Sequence, residues 1–220
     1  MSEFRERDQD VPEGILGEGY RKELKRQADR KEALSKTLAK YVSADTPIVF
    51  EAGCGHGHWL TSYASVCPDR LCIGIDLIAG RIEKANAKKY KRNLPLLYFI
   101  KAELNEFLEV LAPAVRFQAV VFLFPDPWPK ARHHKKRMIQ FPLLEALAER
   151  MAEGGALYFR TDDRSYFEWT EEHLAESPYW QIARERSWLH EEATYFQDLM
   201  DGYYSLVAEP IAADLSLIHI

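Results

Sequence analysis

The sequence predicts an α/β fold, in which a mostly parallel sheet carries helices on both faces. Three observations lead to this fold class. Short apolar runs alternate with stretches of helical periodicity, a glycine cluster follows the first apolar run, and no internal repeat breaks the alternation. Because parallel strands need long crossover connections, which are usually helices, regular alternation favours a parallel sheet over an antiparallel one.

The predicted elements follow one another from a polar, glycine-containing start. Residues 1–19 are expected to form a flexible arm, and a charged helix is predicted over 20–41. Two strand-like segments, about 180–187 and 203–208, are predicted to end the fold. Between these ends lie the predicted strands Ile48–Ala52, 71–75, 96–100, 118–124 and 156–160, and the predicted helices His58–Val66, 79–91, 103–111, 139–152 and 164–176.

Composition excludes several classes of protein. Apolar residues make up 47% of the chain and charged residues 29%, which is typical of a soluble globular protein. No stretch approaches the ~18 apolar residues that a membrane helix needs, and the charged start lacks the apolar core of a secretory signal. The 3 cysteines form no CxxC pair, so a disulfide framework is not expected. We therefore expect a cytoplasmic protein.

The net charge of −5 hides an uneven distribution of basic residues. Residues 20–40, 81–92 and 130–137 together carry 19 of the 29 Lys and Arg residues, but only 4 of the 34 acidic ones. Each segment alone is typical of an ordinary solvated helix face. If the three segments converge in space, a globally acidic protein still presents a basic surface to a nucleic acid.

A glycine-rich turn after the first strand indicates a cofactor site. Gly53, Gly55 and Gly57 follow the apolar run at every second position, and Glu51 lies two residues before them. Glycines there let the backbone turn tightly and approach a ligand. The spacing is GxGxG, whereas a nicotinamide-binding turn has GxGxxG. The acid at Glu51 favours a cationic cofactor such as S-adenosylmethionine, which carries an ammonium and a sulfonium group.

Two further carboxylates end the next strands. Asp76 is placed to accept hydrogen bonds from the ribose hydroxyls of an adenosyl group, and Glu103 from an adenine amino group. Both positions also fit an acid at the start of a helix. His56 and His58 flank Gly57, but no further ligand set has suitable spacing, so we assign no metal.

The segment after the fourth strand, Phe-Pro-Asp-Pro-Trp-Pro-Lys from residue 124, combines rigidity with charge. Three prolines restrict the backbone on both sides of Asp126 and after Trp128, and a basic run begins at Lys130. A fixed carboxylate and an aromatic ring beside cations suit the binding of a nucleobase and its phosphates. A proline-rich surface turn before a solvated basic helix is the plainer alternative.

This segment, FPDPWPKARHHKKR, resembles the signature of bacterial-type tRNA (guanine-N7)-methyltransferases, and the resemblance extends over about 46–208. It implies a Rossmann-like class I methyltransferase fold with a closing antiparallel strand pair, S-adenosyl-L-methionine as cofactor and tRNA as partner. Gln197 stands where that family has glutamate. The resemblance implies cofactor contacts at Glu51, Asp76, Glu103 and Asp126, with Asp126 also the catalytic residue, and substrate contacts at Lys130, Asp162, Thr194 and Gln197.

We therefore expect a flexible arm and basic helix over 1–41, a methyltransferase domain over 42–210 and a tail over 211–220. Residues 215–220 resemble the translation of an adaptor used in DNA library preparation. Three alternatives stay open: a methyltransferase of this fold acting on another RNA, a protein or a small molecule; a non-catalytic RNA-binding relative; and a nicotinamide-binding oxidoreductase, which the glycine spacing disfavours. The basic run is expected to give an RNA-binding surface through Arg132, Lys135, Lys136 and Arg137.

Overall fold

Seven strands form one sheet in the computed structural model, which describes residues 17–191 and 202–211. The strand order is β3-β2-β1-β4-β5-β7-β6. β1 to β5 are mutually parallel, whereas β7 pairs antiparallel with β5 and β6 antiparallel with β7. The strands are β1 Ile48–Ala52, β2 Leu71–Asp76, β3 Leu97–Lys101, β4 Phe117–Leu123, β5 Met151–Thr161, β6 Trp180–Ile182 and β7 Tyr204–Pro210.

Helices cover both faces of this sheet. One apolar cluster includes Leu34, Phe107, Leu144 and Tyr166 from four different helices, and the cluster on the other face includes Leu60 and Ile82. The predicted α/β fold class and its closing antiparallel pair are confirmed. The helices are α1 Glu18–Leu38, α2 His58–Val66, α3 Ala79–Arg92, α4 Leu104–Val110, α5 Phe141–Ala148 and α6 Arg164–Glu176, with a short 3₁₀ helix at Ala131–Lys136.

The boundaries differ most at the last strands. β5 begins at Met151, five residues before the predicted start, because a register shift opposite Phe117 and Ala119 accommodates Gly154 in the left-handed region, at φ 69°. The segment predicted over 180–187 keeps only three strand residues, since the chain turns between Ala183 and Arg186.

The parallel pairing places the carboxyl ends of β1 to β5 along one edge of the sheet, which we call the carboxyl edge. β1 is buried at every residue and pairs with β2 on one side and β4 on the other. The loops that follow these three strands are therefore neighbours. No helix within the described residues is long and apolar enough to cross a membrane.

Candidate active site

The glycine turn between β1 and α2 lies at the centre of the carboxyl edge. Gly53, Gly55 and Gly57 all have positive φ, at 74°, 53° and 67°, a region that strains other residues. At Gly57 a side chain is excluded for a second reason, because an added Cβ would lie 2.5 Å from the Phe99 ring and 2.8 Å from the Ala85 Cβ. The expected tight turn is present, and Gly57 also permits close packing of α2 against α3 and β3.

Glu51 is a buried carboxyl group beneath this turn. Its side chain is 3% exposed, and its Oε2 atom has no hydrogen-bond partner among the described residues. Burial raises the pKa of Glu51 to about 8, a backbone hydrogen bond from Leu60 opposes the rise, and the charge of Asp76 adds to it. A buried oxygen without a partner is costly, so a cationic or hydrogen-bond-donating group fits this position.

Asp76 ends β2 and holds the glycine turn in place. One carboxylate oxygen, Oδ1, accepts from the Ile78 amide at 2.8 Å, and Oδ2 accepts from the Gly55 amide at 3.1 Å. The Arg81 guanidinium lies 3.4 Å from Oδ2. Asp76 therefore fixes the turn next to β2 and has lone pairs left for a ligand, because a carboxylate accepts about four hydrogen bonds.

Glu103 follows β3 and caps a helix. Its side chain accepts from the Glu106 amide at 2.9 Å and from the Asn105 amide group at 3.1 Å, an arrangement that satisfies a free N–H of the first turn. Within the protein, Glu103 therefore acts as the acid at the start of a helix, which was the alternative role considered for it. Its place beside the end of β2 also keeps it at the candidate site.

The proline-rich loop after β4 is held in an unusual backbone conformation. Phe124 and Trp128 both have positive φ, at 49° and 46°, which costs about 1–3 kcal/mol each for non-glycine residues. The Phe124 amide donates to the Arg160 carbonyl at 2.8 Å. Asp126 lies exposed between these two residues, past the strand that neighbours β1. Strain of this kind is typical of functional loops.

Trp128 is packed against the basic run that follows it. The Lys136 ammonium lies 4.4 Å from the centre of the indole ring, and the His133 ring meets it edge-on at 5.9 Å. Lys136 is one of four exposed cations in this run. They are Lys130, Arg132, Lys135 and Lys136.

Arg137 does not belong to that surface. It is 2% exposed, and its guanidinium donates to the Pro127 carbonyl at 2.8 Å and to the Ser165 carbonyl and hydroxyl at 3.2 and 2.9 Å. It also lies over the rings of Tyr166 and Trp169, at 4.9 and 5.2 Å. The prediction of Arg137 as an RNA-surface residue is wrong, because this side chain ties the proline-rich loop to α6.

The remaining predicted residues divide into two groups. Asp162 is exposed and follows β5, so it shares the carboxyl edge with the other candidates. Thr194 and Gln197 lie outside the described residues. Within 17–191 and 202–211, no group of three or more His, Cys, Asp or Glu side chains is arranged to hold a metal ion.

Two arginines at the carboxyl edge were not predicted from the sequence as residues of the site. Arg81 reads as one cation among many in a basic helix, and only the fold brings it to Asp76. Arg160 had a usable signal, since a charged residue within the apolar run 156–160 is uncommon in a buried strand.

The comparisons with known proteins bear on the family and on the fold. A family model described as "Putative methyltransferase" matches residues 45–201. A tRNA (guanine-N(7)-)-methyltransferase of Halorhodospira halophila is 35% identical over 123 residues, 56% of this chain and 53% of that protein. The corresponding protein of Synechococcus elongatus is 32% identical over 144 residues, 64% of this chain and 68% of that protein.

Solved structures support the fold alone. An rRNA methylase from Streptococcus thermophilus gives a TM-score of 0.52 at 13% identity, covering 80% of this chain and 93% of that one. A precorrin-6y C5,15-methyltransferase from Geobacter metallireducens gives 0.50 at 12% identity, covering 80% and 86%. The match to the Halorhodospira halophila relative spans about half of that protein's length. From its turn, its sheet and these matches, the chain belongs to the methyltransferase family that includes the bacterial-type tRNA (guanine-N7)-methyltransferases.

Proposed function

We propose that this chain transfers a methyl group from S-adenosyl-L-methionine to N7 of a guanosine in tRNA. The observation that carries the proposal is the meeting of two loops at the carboxyl edge. The glycine turn follows β1, which holds the buried Glu51, and the strained Asp126 loop follows the neighbouring β4. The names of the relatives favour tRNA guanosine as the acceptor.

The cofactor would lie along the first three strand ends. Glu51 would face its ammonium group, Asp76 its ribose and Glu103 its adenine, and the turn at Gly53, Gly55 and Gly57 would lie beneath it. The orphaned Glu51 Oε2 and the open space beside Gly53 and Gly55, where an added Cβ would meet almost nothing, fit such a group. When bound, the cofactor supplies an electrophilic methyl group on a sulfonium.

The acceptor explains why no strong base is required. Guanine N7 carries a lone pair and no proton, so the chain's own task is to align the base and to exclude competing orientations. Positive charge grows on the purine as the bond forms. Asp126, held by a loop of fixed backbone, would stabilise that charge electrostatically.

The substrate would be held from the other side of the carboxyl edge. Lys130 and Asp162 follow β4 and β5, and Thr194 and Gln197 would contact the guanine by family resemblance. Arg132, Lys135 and Lys136 are exposed cations suited to phosphate contacts. We expect tRNA modification to take place in the cytoplasm.

Methyl transfer from labelled S-adenosylmethionine to unmodified tRNA, with 7-methylguanosine mapped by chemical cleavage, tests the proposal. We expect incorporation at one guanosine, and a fall of at least about 100-fold in kcat/KM for Asp126→Asn, the order expected when an electrostatic stabiliser is lost. Asp69→Asn is the control, since Asp69 is exposed and precedes β2 at the far edge of the sheet. Labelling of small molecules but not tRNA would favour a different methyltransferase, and cofactor binding without transfer to any acceptor would favour a non-catalytic relative.

A further inference from the structure

Arg160 is a buried cation at the end of β5 to which the proposed function gives no role. It is 2% exposed. Its guanidinium makes a bidentate contact with Glu191 at 3.1 and 3.2 Å and donates to the Ser205 hydroxyl at 3.2 Å. The rings of Trp188 and Tyr203 lie 4.0 and 4.4 Å from its central carbon. Each of the three guanidinium nitrogens therefore donates a hydrogen bond.

The segment that Arg160 holds also contacts the helix that follows the glycine turn. Residues 188–191, which we call the latch, accept a hydrogen bond from Trp59 through the His190 carbonyl at 3.0 Å. The His190 ring lies 3.0 Å from the Ser62 hydroxyl. Trp59 and Ser62 belong to α2, so the latch joins the cofactor half of the sheet to β5.

The backbone of the same residue supports the candidate catalytic loop. The Arg160 carbonyl accepts from Phe124, the first residue of the proline-rich loop. Leu123 is the register partner of Arg160 in the sheet, and Asp162 follows two positions later. One residue therefore contacts the loop through its main chain and the latch through its side chain.

We infer that Arg160 is a positioning residue that aligns the latch with the catalytic loop for substrate binding; this inference rests on the proposed function. From Glu191 the chain continues toward Thr194 and Gln197, the substrate contacts that the family resemblance implies, so the arginine pair holds the residue at which that segment begins. Lost alignment at a reacting centre lowers transfer to substrate without removing any group that touches it.

The chemistry of the pair supports a positioning role over a purely stabilising one. Burying an arginine costs free energy that its ion pair repays only in part, and an apolar residue of similar volume is often as stabilising. The Glu191 side chain, by contrast, is 65% exposed. A planar guanidinium between two rings fixes the direction of its carboxylate partner, which an apolar residue or a lysine does not do.

Glu191→Gln tests the inference in the full chain, because the exposed Glu191 side chain lies outside the apolar core and the amide keeps one oxygen acceptor for Arg160. We expect kcat/KM for tRNA to fall about 5- to 20-fold, as for the loss of one charge-assisted hydrogen-bonded pair, mainly through KM. The Kd for S-adenosylmethionine should stay within twofold of wild type, whereas the unfolding midpoint should fall by several degrees, because Arg160 stays buried without its counter-charge. Arg160→Lys should lower kcat/KM for tRNA further and raise its KM further than Glu191→Gln does.

Glu209→Gln is the matched control, because it removes the carboxylate of another arginine pair on the same sheet, 2.6 Å from Arg186. The inference is overturned if this control lowers kcat/KM as much as Glu191→Gln, or if Glu191→Gln leaves kcat/KM unchanged. A second readout does not depend on substrate: amide exchange over 188–191 should rise in Glu191→Gln and not in the control, and unchanged exchange also overturns the inference. Wild-type protein that methylates no tRNA would refute the proposed function instead.

Discussion

At the scale of the residue, Glu51 combines an unfavourable burial with the role of ligand contact that we propose for it. Its carboxyl group is enclosed beneath the glycine turn, and burial raises its pKa to about 8. At neutral pH most of the protein therefore carries this group uncharged, and a cation placed against Oε2 would favour the ionised form.

The raised pKa of Glu51 predicts how folding stability depends on pH. The folded protein holds this proton more tightly than the unfolded chain, whose carboxyl has a pKa near 4.5. The stabilising contribution is therefore complete below that value and is lost as pH rises through about 8. Relative to Glu51→Gln, wild type should lose about 2–4 kcal/mol of unfolding free energy between pH 5 and 8. Urea denaturation across this range measures it.

Glu149→Gln is the control for this pH series, since Glu149 is exposed at the end of α5. Its difference from wild type should stay constant from pH 5 to 8. If Glu51→Gln also runs parallel to wild type, burial does not govern the charge of Glu51 and the proposed facing of an ammonium loses its support.

Arg137 and Lys136 are adjacent in sequence, but we expect substitution of Arg137 to lower stability and substitution of Lys136 to weaken tRNA binding. Arg137→Ala should lower the unfolding free energy by about 2–4 kcal/mol, because three hydrogen bonds and a buried cation are involved. Lys136→Ala should change stability by no more than about 0.5 kcal/mol and instead raise the KM for tRNA. Denaturation and steady-state kinetics of both variants separate the two roles, and a stability loss for Lys136→Ala would contradict its assignment to the surface.

At the scale of elements, the proposed cofactor site is formed by β1, the glycine turn and α2, and a residue at the end of β2 holds the turn in place. The glycine turn after β1 is tied to β2 through the Gly55 amide and Asp76. The same carboxylate supports its own turn through Ile78. A change at Asp76 is therefore expected to alter the shape of the turn as well as the proposed contact with the cofactor.

Substitution of Asp76 should weaken S-adenosylmethionine binding by about 1.5–3 kcal/mol, the range for hydrogen bonds that involve a charged group. We expect most of this loss in Asp76→Asn as well as in Asp76→Ala, because the amide keeps the size but brings an NH₂ that cannot accept. Calorimetric titration measures both. Arg81→Gln is the control, because it removes the partner at 3.4 Å while leaving the turn's own hydrogen bonds; wild-type affinity in both Asp76 variants would remove Asp76 from the ribose site.

The sequence was most informative where a pattern had a single structural meaning. The helix over His58–Val66 and the strand over Ile48–Ala52 have the predicted bounds, because a buried run, a glycine turn and an apolar helix follow one another without ambiguity. The confirmed family resemblance likewise depends on one dense motif. The placement of Arg137 was not predictable, since a cation in a basic run reads as exposed until Tyr166 and Trp169 are brought beside it by the fold.

At the scale of the molecule, the basic segments do not share one face of the sheet. α1 buries Leu34 in the apolar cluster on one face, and α3 buries Ile82 in the cluster on the other. The 3₁₀ helix at Ala131–Lys136 lies beyond the end of β4. A nucleic acid over the carboxyl edge would therefore contact the basic run 130–137 first. It would reach α1 only from one face of the sheet and α3 only from the other.

This arrangement predicts that the three basic segments are unequal. Reversing Lys135 and Lys136 to Glu should strongly reduce tRNA affinity. The slope of log affinity against log salt should also become shallower by the equivalent of about two phosphate contacts, each of which contributes about −0.9. Reversing Lys91 and Arg92 at the end of α3 should do less. Filter binding from low to high salt measures both, and cofactor affinity should not change with salt in either variant; equal effects of the two reversals would restore one continuous surface.

The strand order also bears on how the protein is synthesised. β7 is the last strand of the described residues, yet it lies inside the sheet between β5 and β6. Until Tyr204–Pro210 leaves the ribosome, one side of β5 has no partner and β6 has no described strand to join. Unpaired strand sides invite association with other chains, so aggregation competes with completion of the sheet until β7 is added between β5 and β6.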